Sequence, residues 1–373
     1  MRFIDKCWLA IAVTTWMNIG VGSAVSQDVR QITVGTGGRC FEHQGQLFVP
    51  CGANYDHDRT GRLLEDYWIE EWETVEEDMQ ELKQLGANVV RIHLQFGKFM
   101  LDPERVNVAQ KEQLIRLLKL AEEIGVWLDI TGLGCYHKSE TPEWYDALDR
   151  QQRWEAQANF WTQVATCGRG SKAIFCYDLM NEPILPGRTP ESDWLAPERF
   201  GKTFVQRIAL DLEGLTREEM AQQWLQKLTS AIRQVDSEHL ITVGVIPWAQ
   251  VFPGAKPIFY SPECLPWLDF VSVHVYPKQD EVEKTLLALK VYDLGKPLVV
   301  EEIFPLQCSL NEVEHFIKSA VVVDGWISFY WGETIDECRQ QSDLPHQITA
   351  QWLESFYPLV KSLDFASRCT ESD

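Results

Sequence analysis

Two places in the sequence put carboxylates where apolar runs stop. The stretch FCYDLMNEP (175–183) ends on Asn181 and Glu182, and the run at 298–305 carries Glu301 and Glu302. Two carboxyls facing each other across a cleft can divide labour. One keeps its proton and donates it to a leaving oxygen, while the other is ionised and attacks the carbon. These are the components of glycosidic bond cleavage. A lone glutamate at a strand end is as readily a cap or an ion-pair member, so the pair counts only if the fold brings both to one place. Arg91, within NVVRIHL (88–94), is a cation able to hold one carboxylate ionised through a charge-assisted bond. His274 and Tyr276, Trp331 and Glu333 also stand at or after the ends of apolar runs. No GxSxG elbow is present. No Cys/His spacing suggests zinc, and no metal or cofactor is expected.

The elements that must position these residues alternate along the chain. Short apolar runs at 46–55, 88–94, 126–132, 173–180, 240–246, 269–276, 298–305 and 325–331 read as strands. They are rich in β-branched residues on consecutive positions, as when both faces of a parallel sheet are buried. Between them lie helical patterns. Trp72, Val75, Met79, Leu82 and Leu85 recur at helical spacing and Gly86 closes that helix. Further helices are expected over Leu114–Ile124, Trp154–Ala165, Met220–Val235, 281–290, 312–322 and 350–363. Eight βα units predict a single-domain α/β fold, a (β/α)8 TIM barrel. Its rival, a doubly wound sheet, lacks support because VPCGANYD has no GxGxxG pattern. A barrel gathers the C-terminal strand ends on one face, and the residues named above all sit there. The stretch at 184–204 is the longest irregular one and is expected to wall the cleft.

Bulk properties narrow the partners. Of 373 residues, 45% are hydrophobic and 24% charged, and the net charge is −21. Such a surface repels phosphate backbones, so no nucleic-acid partner is expected. Fifteen Trp residues supply flat apolar area for core packing or for stacking on sugar rings. The acids over 65–81 read as a solvated helix face rather than a cation site. Arg2 and Lys6 precede the apolar run Cys7–Gly22 and the small residues of GSAVSQ. That order predicts a signal peptide over 1–25, cleaved near Ala24 or Ser26, and a mature domain over 26–373 that is secreted or periplasmic. The run is too short and too polar for a stable membrane span, and a monomer is expected. In an oxidising compartment Cys40–Cys51 and Cys308–Cys338 are candidate disulfides. Cys176 reads as a buried thiol.

DLMNEP (178–183), VHVYP (273–277), GKPLVVEEIF (295–304) and a Trp on the last strand together resemble the retaining β-glycosidases built on TIM barrels. Within that clan the chain is most similar to glycoside hydrolase family 5, the cellulase and mannanase family, over about residues 40–360. The resemblance implies that Glu182 is the acid/base and Glu302 the nucleophile, with Asn181 binding the 2-hydroxyl of the reacting sugar. It implies that Arg91 and Tyr276 hydrogen-bond the nucleophile, that His274 sits near the acid/base and that Trp331 forms a platform under the sugar. Glu302 fits the family's register better than Glu301, which strand alternation is expected to send to the other side. The chain departs from the pattern twice. Thr131 stands where many members have a His on the third strand, with His137 a possible substitute. Phe304 replaces the Gly after the nucleophile motif.

The function expected is retaining hydrolysis of a β-glucan or β-mannan with a carbohydrate as the partner. The alternative is a carbohydrate-binding protein on the same barrel, and a metal-dependent hydrolase is a third reading. The loop NYDHDR (54–59) contains ligand-type residues, but consecutive residues rarely converge on one ion, so a polar rim is expected. Trp144, Trp194 and Trp248 are candidate subsite platforms.

Overall fold

The computed structural model describes residues 31–55, 58, 60–199 and 201–369. The expected signal segment, and Asp56 and His57 of the rim loop, lie outside the described residues. Three short strands, β1 (Ile32–Val34), β2 (Phe41–His43) and β3 (Gln46–Phe48), pair antiparallel as a separate small sheet. The barrel begins at β4 (Cys51–Tyr55) and continues through β5 (Val89–Gln95), β6 (Trp127–Gly134) and β7 (Ile174–Asp178). After the short β8 (Pro183–Ile184) and β9 (Gln206–Arg207) come β10 (Leu240–Thr242), β11 (Gly244–Val245), β12 (Val271–His274), β13 (Leu298–Ile303) and β14 (Gly325–Trp331). The large sheet runs β10-β7-β6-β5-β4-β14-β13-β12-β11, all pairs parallel. Its two outermost members, β10 and β11, are consecutive pieces of one strand separated by Val243. The sheet therefore closes on itself as the (β/α)8 barrel that the eight apolar runs predict.

The run at 46–55 is not one strand. Pro50 has no N–H to give to a ladder, and the chain breaks at Val49-Pro50 between β3 and β4. This break lets the small sheet fold across the barrel's N-terminal end. Phe41 and Phe48 enter there and meet Phe175 and Phe270, with ring centroids 5.2–6.1 Å apart. Val89, Leu240, Val299 and Ile327 complete this buried floor.

Five of the seven expected helices start earlier than their apolar stripes imply. The seven span Trp72–Leu85, Val108–Ile124, Arg150–Gly168, Arg217–Arg233, Val282–Leu289, Leu310–Ser319 and Leu344–Lys361. Asn107, Asp149, Thr216, Ser309 and Asp343 cap the helices that follow them by accepting backbone N–H bonds. A polar first turn carries no hydrophobic periodicity, so only the capping residue marks it. The segment after β7 is held down over the neighbouring strand end. β8 pairs with β9, the Thr203 N–H donates to the Tyr136 carbonyl at 2.7 Å, and Gln206 donates to the Leu133 carbonyl at 2.9 Å.

The candidate disulfides do not form. Cys51, Cys308 and Cys338 are thiols, so neither proposed pair is joined. Burial pushes the Cys51 thiol up to about 12, with Lys361 opposing it. No helix among the described residues is long and apolar enough to cross a membrane.

Candidate active site

Strand alternation carries the barrel interior from apolar to polar in steps of two residues. Along β5, Val89 belongs to the floor, followed inward by Arg91 and then His93. Along β12, Ser272 and His274 follow Phe270 in the same way. Arg91 is wholly buried and its guanidinium spans the barrel. One terminal nitrogen donates to Glu302 Oε1 at 2.6 Å and to Asn54 Oδ1 at 2.8 Å. The other donates to Asp178 Oδ2 at 2.7 Å and to Asn181 Oδ1 at 3.1 Å. One side chain thus ties the ends of β4, β7 and β13 to β5. A fully buried guanidinium is tolerable only with such pairing.

Each remaining oxygen of these partners is also held. Tyr276 donates to Glu302 Oε2 at 2.7 Å. Thr131 donates to Asp178 Oδ2 at 2.8 Å, and the Gly244 N–H to Asp178 Oδ1 at 2.8 Å. Asn181 donates to the Phe204 carbonyl at 2.9 Å, which couples it to the loop wall. Glu182 has φ +47°, a left-handed conformation that costs an L-residue about 1–2 kcal/mol. Its N–H donates to the Gly244 carbonyl at 3.0 Å, which helps to hold this turn. The turn puts Glu182 Oε1 3.0 Å from His274 Nδ1.

One carboxyl oxygen of Glu182, one of Glu302 and a ring nitrogen of His274 all lie within 4.8 Å of one another. Burial raises the Glu182 carboxyl above its ordinary range, against the opposing pull of His274. Burial also disfavours a charge on His274, but Glu302 and the contacts with Glu182 and Glu301 outweigh it and raise the imidazole to about 10. The site therefore holds a proton on Glu182 more tightly than water would, beside an imidazolium. Asp129, Cys176 and Glu301 form a second set of potential ligand atoms below it, also within 4.8 Å of one another.

Glu182, Glu302, Arg91, Asn181, His274 and Tyr276 converge on this one mouth. Trp331 does not share it. Its indole is 1% exposed, packs edge-on against Tyr55 with centroids 5.7 Å apart, and is covered by the buried core. The half-buried Phe329, two residues earlier on β14, is the aromatic ring against Tyr276, at 6.2 Å. Glu333 also leaves the mouth, pairing with His346 at 3.2 Å.

Glu301 does not go to the other side. The pairing of β12 with β13 shifts from Val273↔Val300 to His274↔Glu302, an extra residue in β13. Both glutamates consequently reach His274, Glu302 at 3.4 Å from Nδ1 and Glu301 at 3.5 Å from Nε2. The place of a third-strand His is taken by Thr131, bound to Asp178, while Tyr136 rather than His137 turns inward to bond His93. Trp194 is buried under the Arg153 guanidinium, Trp144 leans on Phe96, and Trp248 alone of the three is 40% exposed. Asp178 and Gly244 were not among the expected site residues, and Asn54 was expected only on the polar rim. Asp178 stands at the inward end of β7, out of period with Phe175 of the floor because β7 carries an extra residue after Ile174. Gly244 is invisible to pattern reading, because its contribution is backbone and empty space.

The family model for cellulases, glycosyl hydrolase family 5, matches residues 52–303. No curated protein sequence matches the chain. Among solved structures, the exo-β-1,4-mannosidase Op5Man5 from Opitutaceae bacterium strain TAV5 aligns with TM-score 0.64 at 17% identity. That alignment covers 88% of this chain and 62% of the mannosidase, so the chain spans less than two thirds of it. The β-mannanase of the blue mussel Mytilus edulis aligns with TM-score 0.61 at 16% identity, over 87% of this chain and 96% of the mannanase. The catalytic domain of Thermobifida fusca endoglucanase Cel5A gives 0.58 at 15% identity, over 88% and 97% of the two chains. The match of the family model over most of the barrel identifies the chain as a member of glycosyl hydrolase family 5.

Proposed function

We propose that this protein hydrolyses β-glycosidic bonds with retention of configuration, using Glu182 as acid/base and Glu302 as nucleophile. The observation that carries this reading is the separation of the two carboxyls. Oxygens of Glu182 and Glu302 come within 4.8 Å. Retaining enzymes keep their carboxyls roughly 5–5.5 Å apart, whereas inverting enzymes leave about 6.5–9.5 Å for a water.

Each step follows from a named contact. Arg91 and Tyr276 fix both oxygens of Glu302, so one of them is aimed at the anomeric carbon without reorganisation. Glu182, raised by burial, gives its proton to the glycosidic oxygen as that bond breaks and the Glu302 oxygen bonds to carbon. The Glu182 carboxylate then takes a proton from water, whose oxygen displaces Glu302 from the sugar. Asn181, pinned by Arg91 and the Phe204 carbonyl, is set to bond a sugar hydroxyl. The substrate class is a β-linked glucan or mannan, supported by the mannanase, mannosidase and endoglucanase among the similar structures.

The test is incubation with a panel of β-glucans and β-mannans, read by reducing ends and by proton NMR of the first-formed anomer. Release of the β-anomer is expected. Release of the α-anomer would remove the retaining mechanism. No release from any member would favour a carbohydrate-binding protein.

A further inference from the structure

The mechanism uses two carboxyls and leaves Glu301 without a task. Glu301 is wholly buried, and neither of its oxygens has a hydrogen-bond partner. An unpaired buried carboxyl is costly unless something offsets it. Two cations face it. His274 Nε2 lies 3.5 Å from Oε2 and Arg91 Nε lies 3.9 Å from the same oxygen. Both nitrogens likewise lack a hydrogen bond. The imidazole therefore lies between carboxyls, with Glu301 below Nε2 and, at Nδ1, Glu182 at 3.0 Å and Glu302 at 3.4 Å.

Three features build this arrangement. Glu301 follows Val299 of the floor inward by alternation, and the extra residue in β13 brings Glu302 to the same side. Gly244 leaves room, since a Cβ there would stand 2.5 Å from both Glu301 Oε2 and His274 Nε2. Glu302 and Asp178 take the terminal nitrogens of Arg91, which leaves its Nε, like His274 Nε2, turned toward Glu301. Burial, with Glu301 itself, pushes the Asp129 carboxyl well up, and burial does the same to the Cys176 thiol that donates to it at 3.1 Å. Asp178 is occupied by Arg91, Thr131 and Gly244, and Ser272 is uncharged.

We infer that Glu301 is a positioning residue for the acid/base, holding His274 as an imidazolium with its Nδ1–H directed at Glu182 Oε1. This rests on the reading of Glu182 as acid/base. Occupation of Oε1 by Nδ1–H leaves Oε2 to carry the proton that goes to the leaving oxygen. Burial opposes ionisation of Glu301, but Arg91 and His274 outweigh it and hold the carboxyl well below its usual range. Glu301 thus adds a negative charge at Nε2 to that of Glu302 at Nδ1.

The experiment compares the wild type with Glu301→Gln and Glu301→Asp. The first reading is the titration of His274 by ¹⁵N NMR, which needs no turnover. Glu301→Gln should move its midpoint down by at least about one pH unit, a tenfold loss of proton affinity, and Glu301→Asp by less. The second reading is kcat/KM on matched β-cellobiosides and β-mannobiosides. With a sugar leaving group, which needs the acid, Glu301→Gln should lose about tenfold or more. With 2,4-dinitrophenolate, which does not, the loss should stay within about threefold. An unmoved His274 midpoint in a folded Glu301→Gln protein would overturn the assignment. So would equal losses on both leaving groups, or a stoichiometric metal that chelator removes from the wild type and Glu301→Gln fails to bind. If the wild type cleaves no β-glycoside, the proposed function falls while the NMR titration still decides the role of Glu301 toward His274.

Discussion

The floor and the mouth of the barrel are built from the same strands by different physics. At the floor, Phe41 and Phe48 of the small sheet meet Phe175 and Phe270 of the barrel, with no polar group among them. Two to four residues further along, the interior holds Arg91, Asp129, Asp178, Glu301 and His274, all buried. Burial of apolar area is non-directional, so the floor contributes stability and tolerates swaps of similar volume. The mouth relies on bonds of fixed direction between groups that water would otherwise solvate. Such a network contributes little net stability and fixes the atoms in place. Damage to the floor should therefore unfold the protein with its chemistry intact, and damage to the mouth should do the reverse.

The largest expected effect lies at the mouth. Glu302→Gln, which keeps an acceptor for Arg91, should lower kcat on the order of 10⁴-fold or more, while the thermal midpoint stays within about 3 °C of wild type. Calorimetry beside the reducing-end assay reads both quantities. Next comes the floor. Phe41→Ala should cost about 3–5 kcal/mol in urea unfolding, with kcat/KM per folded molecule unchanged. A Phe41 variant that loses activity while fully folded would join the two regions and break the comparison.

A pH series separates them further. His274 is raised from 6.5 in the unfolded chain to about 10 in the fold. Its stabilisation is therefore complete below about pH 6.5 and is lost as pH rises towards 10. Urea midpoints of the wild type should fall across that window, whereas those of His274→Asn should not. The smallest effect sharpens the aromatic assignment. Phe329→Ala should raise KM about two- to tenfold, the range of one ring contact of 0.5–1.5 kcal/mol. Trp331→Phe should leave KM unchanged, because that indole faces the core.

The convergence of six expected side chains was legible because all but Arg91, which lies within β5, stand at or just past the C-terminal ends of strands of a parallel barrel, and such ends share one face. What misled strict pattern reading was a departure from period two. Glu301 follows the floor residue Val299 inward, and the extra residue in β13 puts Glu302 on that side as well, against alternation. On β14, Trp331 pairs with Tyr55 after a shift in register and turns to the core, leaving Phe329 at the mouth. Bulges have no composition signature in a run such as LVVEEI or GWISFYW. The expected disulfides had a similar weakness, since spacing in sequence carries no information on where the Cβ vectors point.

The sequence by itself determined the barrel, its strand ends and the types of group that gather there. Periodicity, capping residues and the Asn-Glu-Pro and Glu-Glu stretches are local properties, and local properties survive in one dimension. The tertiary structure decided the rest: that Arg91 is the shared partner of Glu302 and Asp178, that Glu301 lies beneath His274, and that a missing side chain at Gly244 makes room for both. Those are relations between residues on different strands, set by register and by empty space. Neither is written in the order of the amino acids.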